Sequence, residues 1–372
     1  MNTRLLHVVP PWEFPGSEQV LIKLATQLER DRFQQSVLLL GRQIQLAKQL
    51  LAAGVEVHQY DQRTRWHLAH LRGIKSKIAE SRPDLVHVWN APRYPAYWLA
   101  ALMQQVPVVA ADAPAGLQLS VFQQATKFGL LKRSHAFTRM MPSSGRDSGA
   151  QFDPIPLGLG CTGNALQSGK EESEDPSPGE SESALKDSLG IPPGAKIAVA
   201  INPLVPVAGL KDAIWSTDLI KCVRDDFHLL ILGSGPQRWR LDRFIRQTKT
   251  GDRVQFVRGI SAAKLLSIAD VIWQTSRAET DPTIVLLAMT RGIPVVATDL
   301  RAHREMVDDG KTGYLIAAGN RANLARRTQL LLDDASLRHQ MGSAAMQRVR
   351  ERFPAQQMVN CYQRLYESCL RS

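Results

Sequence analysis

Short, unbroken apolar runs alternate with amphipathic helical stretches along nearly the whole chain, and that rhythm is the tightest constraint on its fold. Leu5–Val9, Val37–Leu40, Val55–His58, Leu85–Val88 and Val106–Ala110 read as strands in the first half. They are continuous rather than alternating, as strands covered by helices on both faces must be. Between the first two, Ser17 is placed to cap a helix whose Val20, Leu21, Leu24, Ala25 and Leu28 keep to one side. Such an alternation predicts parallel sheets with crossover helices, an α/β fold.

The rhythm breaks once. Residues 161–187 are rich in Ser, Glu, Gly and Pro and nearly devoid of large apolar groups, so they cannot offset the entropy of ordering. We read them as an acidic, disordered linker. Strands then resume at Ile197–Ile201, Leu229–Leu232, Val254–Val257, Val271–Trp273 and Val295–Ala297, with helices at Gln237–Lys249, Ala262–Ile268, Asn320–Leu332 and Ser336–Arg352. The expected organisation is a Rossmann-like domain over 1–160, the linker, a second doubly wound domain over 188–352, and a closing helix over 353–372. That helix carries Met358, Val359, Tyr362, Leu365, Tyr366 and Cys369 on one face. Two such domains are expected to face a cleft.

Composition narrows the function classes. The chain has 372 residues, enough for two substantial cores. No apolar run approaches the roughly 20 residues that span a bilayer. The start, MNTRLLHVVPPWEF, is too soon broken by proline for a signal peptide, so a cytoplasmic location is expected. Four cysteines lie far apart with no CxxC, which suggests neither a zinc site nor a disulfide framework. Formal net charge is +11, and the acidic segment holds seven carboxylates against two lysines, so the rest of the chain is more basic still. That balance suits nucleotide phosphates or an anionic membrane surface as well as an ordinary solvated surface. Nucleic acid is not expected, because no recognition motif accompanies the charge.

Several positions invite chemistry. The first βα turn, VVPPWEFPGSEQ, sets Gly16 where a phosphate docks on free N–H groups, or where a plain turn sits. LGSGP brings Gly235 and Pro236 to a strand exit, where glycine permits close approach of a ligand or simply a tight turn. Glu279 stands at the tip of a buried strand, and a carboxylate there can accept from sugar hydroxyls. His7, His87 and His303 lack clustered partners and read as core or surface residues. No GxSxG, HExxH or GxxxxGK[ST] is present.

Taken together, LLHVV…PGSEQVLIKLATQLE, PDLVHVWNA…VPVV, LILGSGP, DRVQFVRGI, IADVIWQTSRAE, LLAMTRGIPVVATD, REMVDDGKTGYLI and LYESCL resemble the family-4 glycosyltransferases of GT-B fold (glycosyl transferases group 1). The likeness runs in order over nearly the whole chain outside the linker. It implies a retaining, metal-independent transferase without cofactor, moving a sugar from a nucleotide-sugar donor to a glycan or lipid acceptor. It also implies a donor in the second domain, an acceptor in the first, and a last helix that crosses back to the first.

The resemblance makes Glu279 the sugar-facing carboxylate and Asp112 the occupant of a position that is often histidine. It assigns donor contacts to Gly16, Gly209, Lys211, Gly235, Pro236, Arg258, Thr283 and Ile284. Several positions depart from the family pattern. Leu287 replaces the second carboxylate, which holds ribose hydroxyls. Pro203 and Ala208 replace two phosphate-clamping cations. Asp281 and Pro282 stand where backbone amides meet the diphosphate. A weakly active or inactive homologue that binds a partner is therefore the alternative. Peripheral contact with the inner face of an anionic membrane is a further expectation, through Lys127, Lys132 and Arg133 beside Phe122, Phe128, Leu130 and Leu131.

Overall fold

The computed structural model describes residues 2–10, 15–61, 67–91, 94–111, 134–141, 153–156, 182–279 and 281–371. The chain divides into two units, each an α/β sandwich around one parallel sheet. Asp112 and the basic-apolar stretch 122–133 lie outside the described residues.

The first unit holds β1 (Thr3–Val9), α1 (Pro15–Gln27), β2 (Phe33–Leu40), α2 (Ile44–Ala52), β3 (Glu56–Tyr60), α3 (His67–Glu80), β4 (Leu85–Val88), α4 (Pro95–Leu102), β5 (Val108–Ala111), β6 (Ala136–Met141) and β7 (Asp153–Pro156). Its seven strands run in the order β3-β2-β1-β4-β5-β6-β7. β1 is central, with His7 opposite Val37 on one side and His87 on the other. Leu6, Val8, Leu38, Val86, Val88, Trp98 and Val108 build its core. The last helix of the chain, Ala355–Arg371, belongs to this unit and packs Met358, Val359, Tyr362, Tyr366 and Cys369 inward.

The second unit holds α5 (Glu182–Ser188), β8 (Lys196–Ile201), α6 (Leu210–Lys221), β9 (Phe227–Leu232), α7 (Arg238–Thr248), β10 (Val254–Val257), α8 (Ala262–Leu266), β11 (Val271–Gln274), α9 (Thr283–Thr290), β12 (Val295–Thr298), α10 (Arg301–Met306), β13 (Gly313–Ile316), α11 (Arg321–Asp333) and α12 (Ala335–Arg352). With α13 (Ala355–Arg371) the chain ends. The six strands run β10-β9-β8-β11-β12-β13, all parallel. The chain builds outward from β8 through β9 to β10, then returns to add β11 on the other flank. The strand order therefore reverses between β8 and β11, which is where open α/β sheets bind ligands.

Three expectations are corrected. The acidic segment does not run unstructured to Asp187: residues 182–188 form α5, with the apolar side chain of Leu185 buried. α1 begins at Pro15, so Ser17 lies within its first turn and is not its cap. The strands β6, β7 and β13 lie outside the runs read from sequence, because each is short and mixes apolar residues with Pro, Gly or Arg.

Candidate functional site

The reversal between β8 and β11 is stitched together at the strands' carboxyl ends. Asn202 Nδ2, just past β8, donates to Gln274 Oε1 of β11 at 2.9 Å. Beyond Asn202 the chain makes a 3₁₀ turn at Pro206–Ala208 and enters α6 through Gly209, whose φ of 66° lies in the left-handed region. A Cβ on Gly209 would stand 1.9 Å from the Thr275 carbonyl oxygen, so no other residue fits there. Thr275 Oγ1 donates to Ala208 O at 2.9 Å, and the Arg277 amide donates to Val207 O at 2.8 Å. The segment after β11 is thereby locked against the turn after β8.

At this junction sits a charge cluster that sequence reasoning missed. Asp212, in the first turn of α6, is 3% exposed. Its Oδ2 accepts from Arg277 Nε at 2.9 Å and Nη2 at 2.7 Å, and its Oδ1 accepts from Arg321 Nε at 2.8 Å. Arg321 also lies 4.7 Å over the Trp215 ring. One buried carboxylate thus holds two guanidiniums, and burying it alone would be costly. Arg277 stands two residues before Glu279, but its partner lies 65 residues away, which no local pattern reveals.

Glu279 is exposed, and both carboxylate oxygens are engaged: Oε1 accepts from the Arg301 amide at 2.8 Å and Oε2 from the Ala302 amide at 3.2 Å. It therefore serves as the side-chain cap of α10, which Leu300 cannot cap. Asp281 Oδ1 accepts from the Thr283 amide at 2.9 Å and from Thr283 Oγ1, so this carboxylate closes the start of α9. Thr283, Ile284 and Leu287 are buried in α9, whose inward and outward faces are almost wholly apolar. Leu287 is a core residue at 5% exposure.

The remaining sequence candidates scatter. Gly233 and Gly235 pack their backbones on the chain beyond β8: a Cβ on Gly233 would stand 1.9 Å from Asn202 O, and one on Gly235 2.7 Å from Leu204 O. Close backbone packing thus accounts for both glycines of LGSGP, and Pro236 beside them is exposed. The Lys211 ammonium lies 5.5 Å from the Phe244 ring centre, turned toward α7. Arg258 is exposed past β10, the edge strand, two strands from β8. Gly16 lies in the first turn of α1, in the sequence stretch that leaves β1.

In the first unit the order reverses between β1 and β4. Asn90, just past β4, has φ 51° and is 3% exposed, and its Oδ1 has no hydrogen-bond partner among the described residues. His7 and His87 are fully buried and face aromatic rings. His87 Nδ1 lies 2.8 Å from Tyr366 Oη of α13, and Trp89 Nε1 donates to His7 Nδ1 at 3.2 Å. Burial lowers the His7 pKa to about 4 and that of His87 well below its usual value. His303 is buried against Thr298 O at 2.7 Å and is also held below its usual value by burial. All three are core histidines. Burial pushes the Glu18 carboxyl, in α1, up to about 7. Among the described residues no three His, Cys, Asp or Glu side chains gather as a metal-ligand set. No helix of the described residues is long and apolar enough to cross a membrane.

Residues 181–348 match the profile of the family described as glycosyl transferases group 1. Over these residues the chain is similar to a group 1 glycosyl transferase domain. The chain is 30% identical to N-acetyl-alpha-D-glucosaminyl L-malate synthase of Bacillus anthracis over 50% of its own length and 49% of that protein. It is 26% identical to the sulfoquinovosyl transferase SQD2 of Arabidopsis thaliana over 77% of its length and 57% of that protein. The chain thus spans about half the length of these curated relatives. Its fold is similar to that of Anabaena HepE crystallised with UDP and glucose, with a TM-score of 0.72 at 18% identity over 99% of this chain and 100% of that one. Both units of the protein carrying the transferase domain are accordingly of GT-B fold. The site just described lies wholly within residues that the family profile covers.

Proposed function

We propose that the protein is an active glycosyltransferase that takes a sugar from a nucleotide-sugar donor and passes it to a glycan or lipid acceptor. The donor occupies the carboxyl edge of the second unit's sheet, at the β8–β11 reversal. The observation that carries this reading is the cation-bearing junction there: a glycine no other residue can replace, a buried Asp212, and two guanidiniums held on it. In the reaction the bond from the anomeric carbon to the diphosphate breaks, the acceptor oxygen bonds to that carbon, and negative charge gathers on the leaving diphosphate. Fixed cations at that point lower the barrier. The reading includes retention of configuration and no requirement for a metal, as the family resemblance implies. Its similarity to a GlcNAc-malate synthase and a sulfoquinovosyl transferase supports a sugar donor. The UDP bound to HepE makes a uridine diphosphate the first to test.

Titration calorimetry with UDP, GDP and ADP, followed by a nucleotide-release assay on the matching sugar donors, tests it. Binding of one diphosphate and steady release from its sugar derivative with EDTA present are expected. Binding without turnover would instead favour the partner-binding alternative.

Peripheral contact with an anionic bilayer is a second reading. It rests on the outward side of α7, where Trp239, 60% exposed, stands beside exposed Arg240, Arg243 and Arg246. Flotation with vesicles containing phosphatidylglycerol, and none with phosphatidylcholine alone, is the expected result at low salt.

A further inference from the structure

We propose that Arg277 is the cation that meets the donor's leaving diphosphate, in place of the cations missing at Pro203 and Ala208. This rests on the donor reading above. Three observations place it there. Its backbone is tied to Val207, next to Ala208, so it rises from the same spot on the turn after β8. It follows β11 by three residues, directly at the strand-order reversal. Its side chain is 51% exposed, and Nε and Nη2 are bound to Asp212 while Nη1 has no partner among the described residues and is left for a ligand.

Charge argues the same way. Asp212 neutralises one of its two guanidiniums, so one positive charge is left over at the junction. The other cations nearby are taken elsewhere: Lys211 lies over Phe244, and Arg304 is bidentate on Asp299. Because Asp212 fixes the guanidinium before any ligand arrives, little side-chain entropy is lost on binding, the usual advantage of a preorganised fork over a free lysine.

The test compares wild type with Arg277→Lys, Arg277→Gln and Lys221→Ala by calorimetry against UDP, uridine and inorganic pyrophosphate, with melting temperatures measured alongside. Arg277→Gln is expected to weaken UDP and pyrophosphate at least ten-fold, leave uridine unchanged, and lower kcat on the order of 10²–10³-fold. Arg277→Lys should recover part of the loss, and Lys221→Ala, at a cation paired with Asp252, should stay within about two-fold of wild type. Asp212 is a positioning residue: Asp212→Asn keeps both cations but loosens their aim, so kcat of the folded protein should fall more than UDP affinity does. Arg277→Gln that melts lower yet binds UDP as wild type does would reduce the cluster to a structural pin and overturn the proposal. Arg277-dependent binding of pyrophosphate without any nucleoside diphosphate would sink the donor reading and keep the anion site. Wild type that binds neither overturns both.

Discussion

Glu279 shows how far a single residue can be read in advance. Its place at the tip of a buried strand was legible, and so was the apolar replacement at Leu287, now seen as core. What the letters could not show is that both Glu279 oxygens are spent on the amides of Arg301 and Ala302, some 22 residues on. A carboxylate accepting two helix-start amides is stabilising through hydrogen bonds and the helix dipole. Glu279→Ala is therefore expected to cost about 1 kcal/mol in folding stability, read by urea unfolding, besides any loss of turnover. An unchanged unfolding midpoint would mean the cap is not formed in solution. Each oxygen has a second lone pair, so capping and a sugar hydroxyl are compatible. The Arg277–Asp212 pair was hidden for the same reason: the partner is remote in sequence, and arginine in an exposed loop usually signals only solvation.

At the scale of elements, the central strands were readable because full burial on both faces writes itself as unbroken Leu, Ile and Val. β7, with two prolines in DPIP, carries no such mark. The package of β1, β4 and α13 adds something no periodicity predicts, a dry aromatic layer around two histidines. Their charged forms are disfavoured by burial, and the sign of the consequence follows. The unfolded chain takes up a proton on His7 near its ordinary value of about 6.5, the folded chain only near 4. Across that window the unfolded state binds more protons, so stability is full above it and is lost as pH falls through it. At about 1.4 kcal/mol per pH unit, His7 alone contributes on the order of 3 kcal/mol. His87 and His303 act in the same direction. Glu18 acts oppositely: its raised carboxyl adds stability at low pH that is lost as pH rises toward 7. Three groups against one leave a net loss on acidification, so the melting temperature should fall steadily from pH 7 to 4. His7→Gln, which keeps an acceptor for Trp89 Nε1, should make that fall shallower; an identical slope in the variant would show that His7 is not held neutral.

On the scale of the whole molecule, each unit has its own sheet and its own buried cluster, the first around Leu6, Val8 and Trp98, the second around Trp273, Phe227 and Ile231. α13 returns the chain's end to the first unit, so neither unit is a simple half of the sequence. A ligand that binds only the native second unit stabilises only that unit. At a concentration of about 100 times Kd it adds about 2.7 kcal/mol. For a domain of this size each kcal/mol moves the midpoint by roughly 2–4 °C, so the shift should be about 5–10 °C. A calorimetric scan with and without a nucleoside diphosphate is expected to show one transition moving by that amount while the other stays. The transition carrying His7 and His87 should be the one that stays, and because His303 belongs to the second unit both transitions should fall on acidification, so it is the nucleotide series that tells the two peaks apart. A single peak that moves with both would mean that the two cores melt as one cooperative body, and the proposed donor site would then have to be located by chemistry alone, through the Arg277 and Glu279 variants.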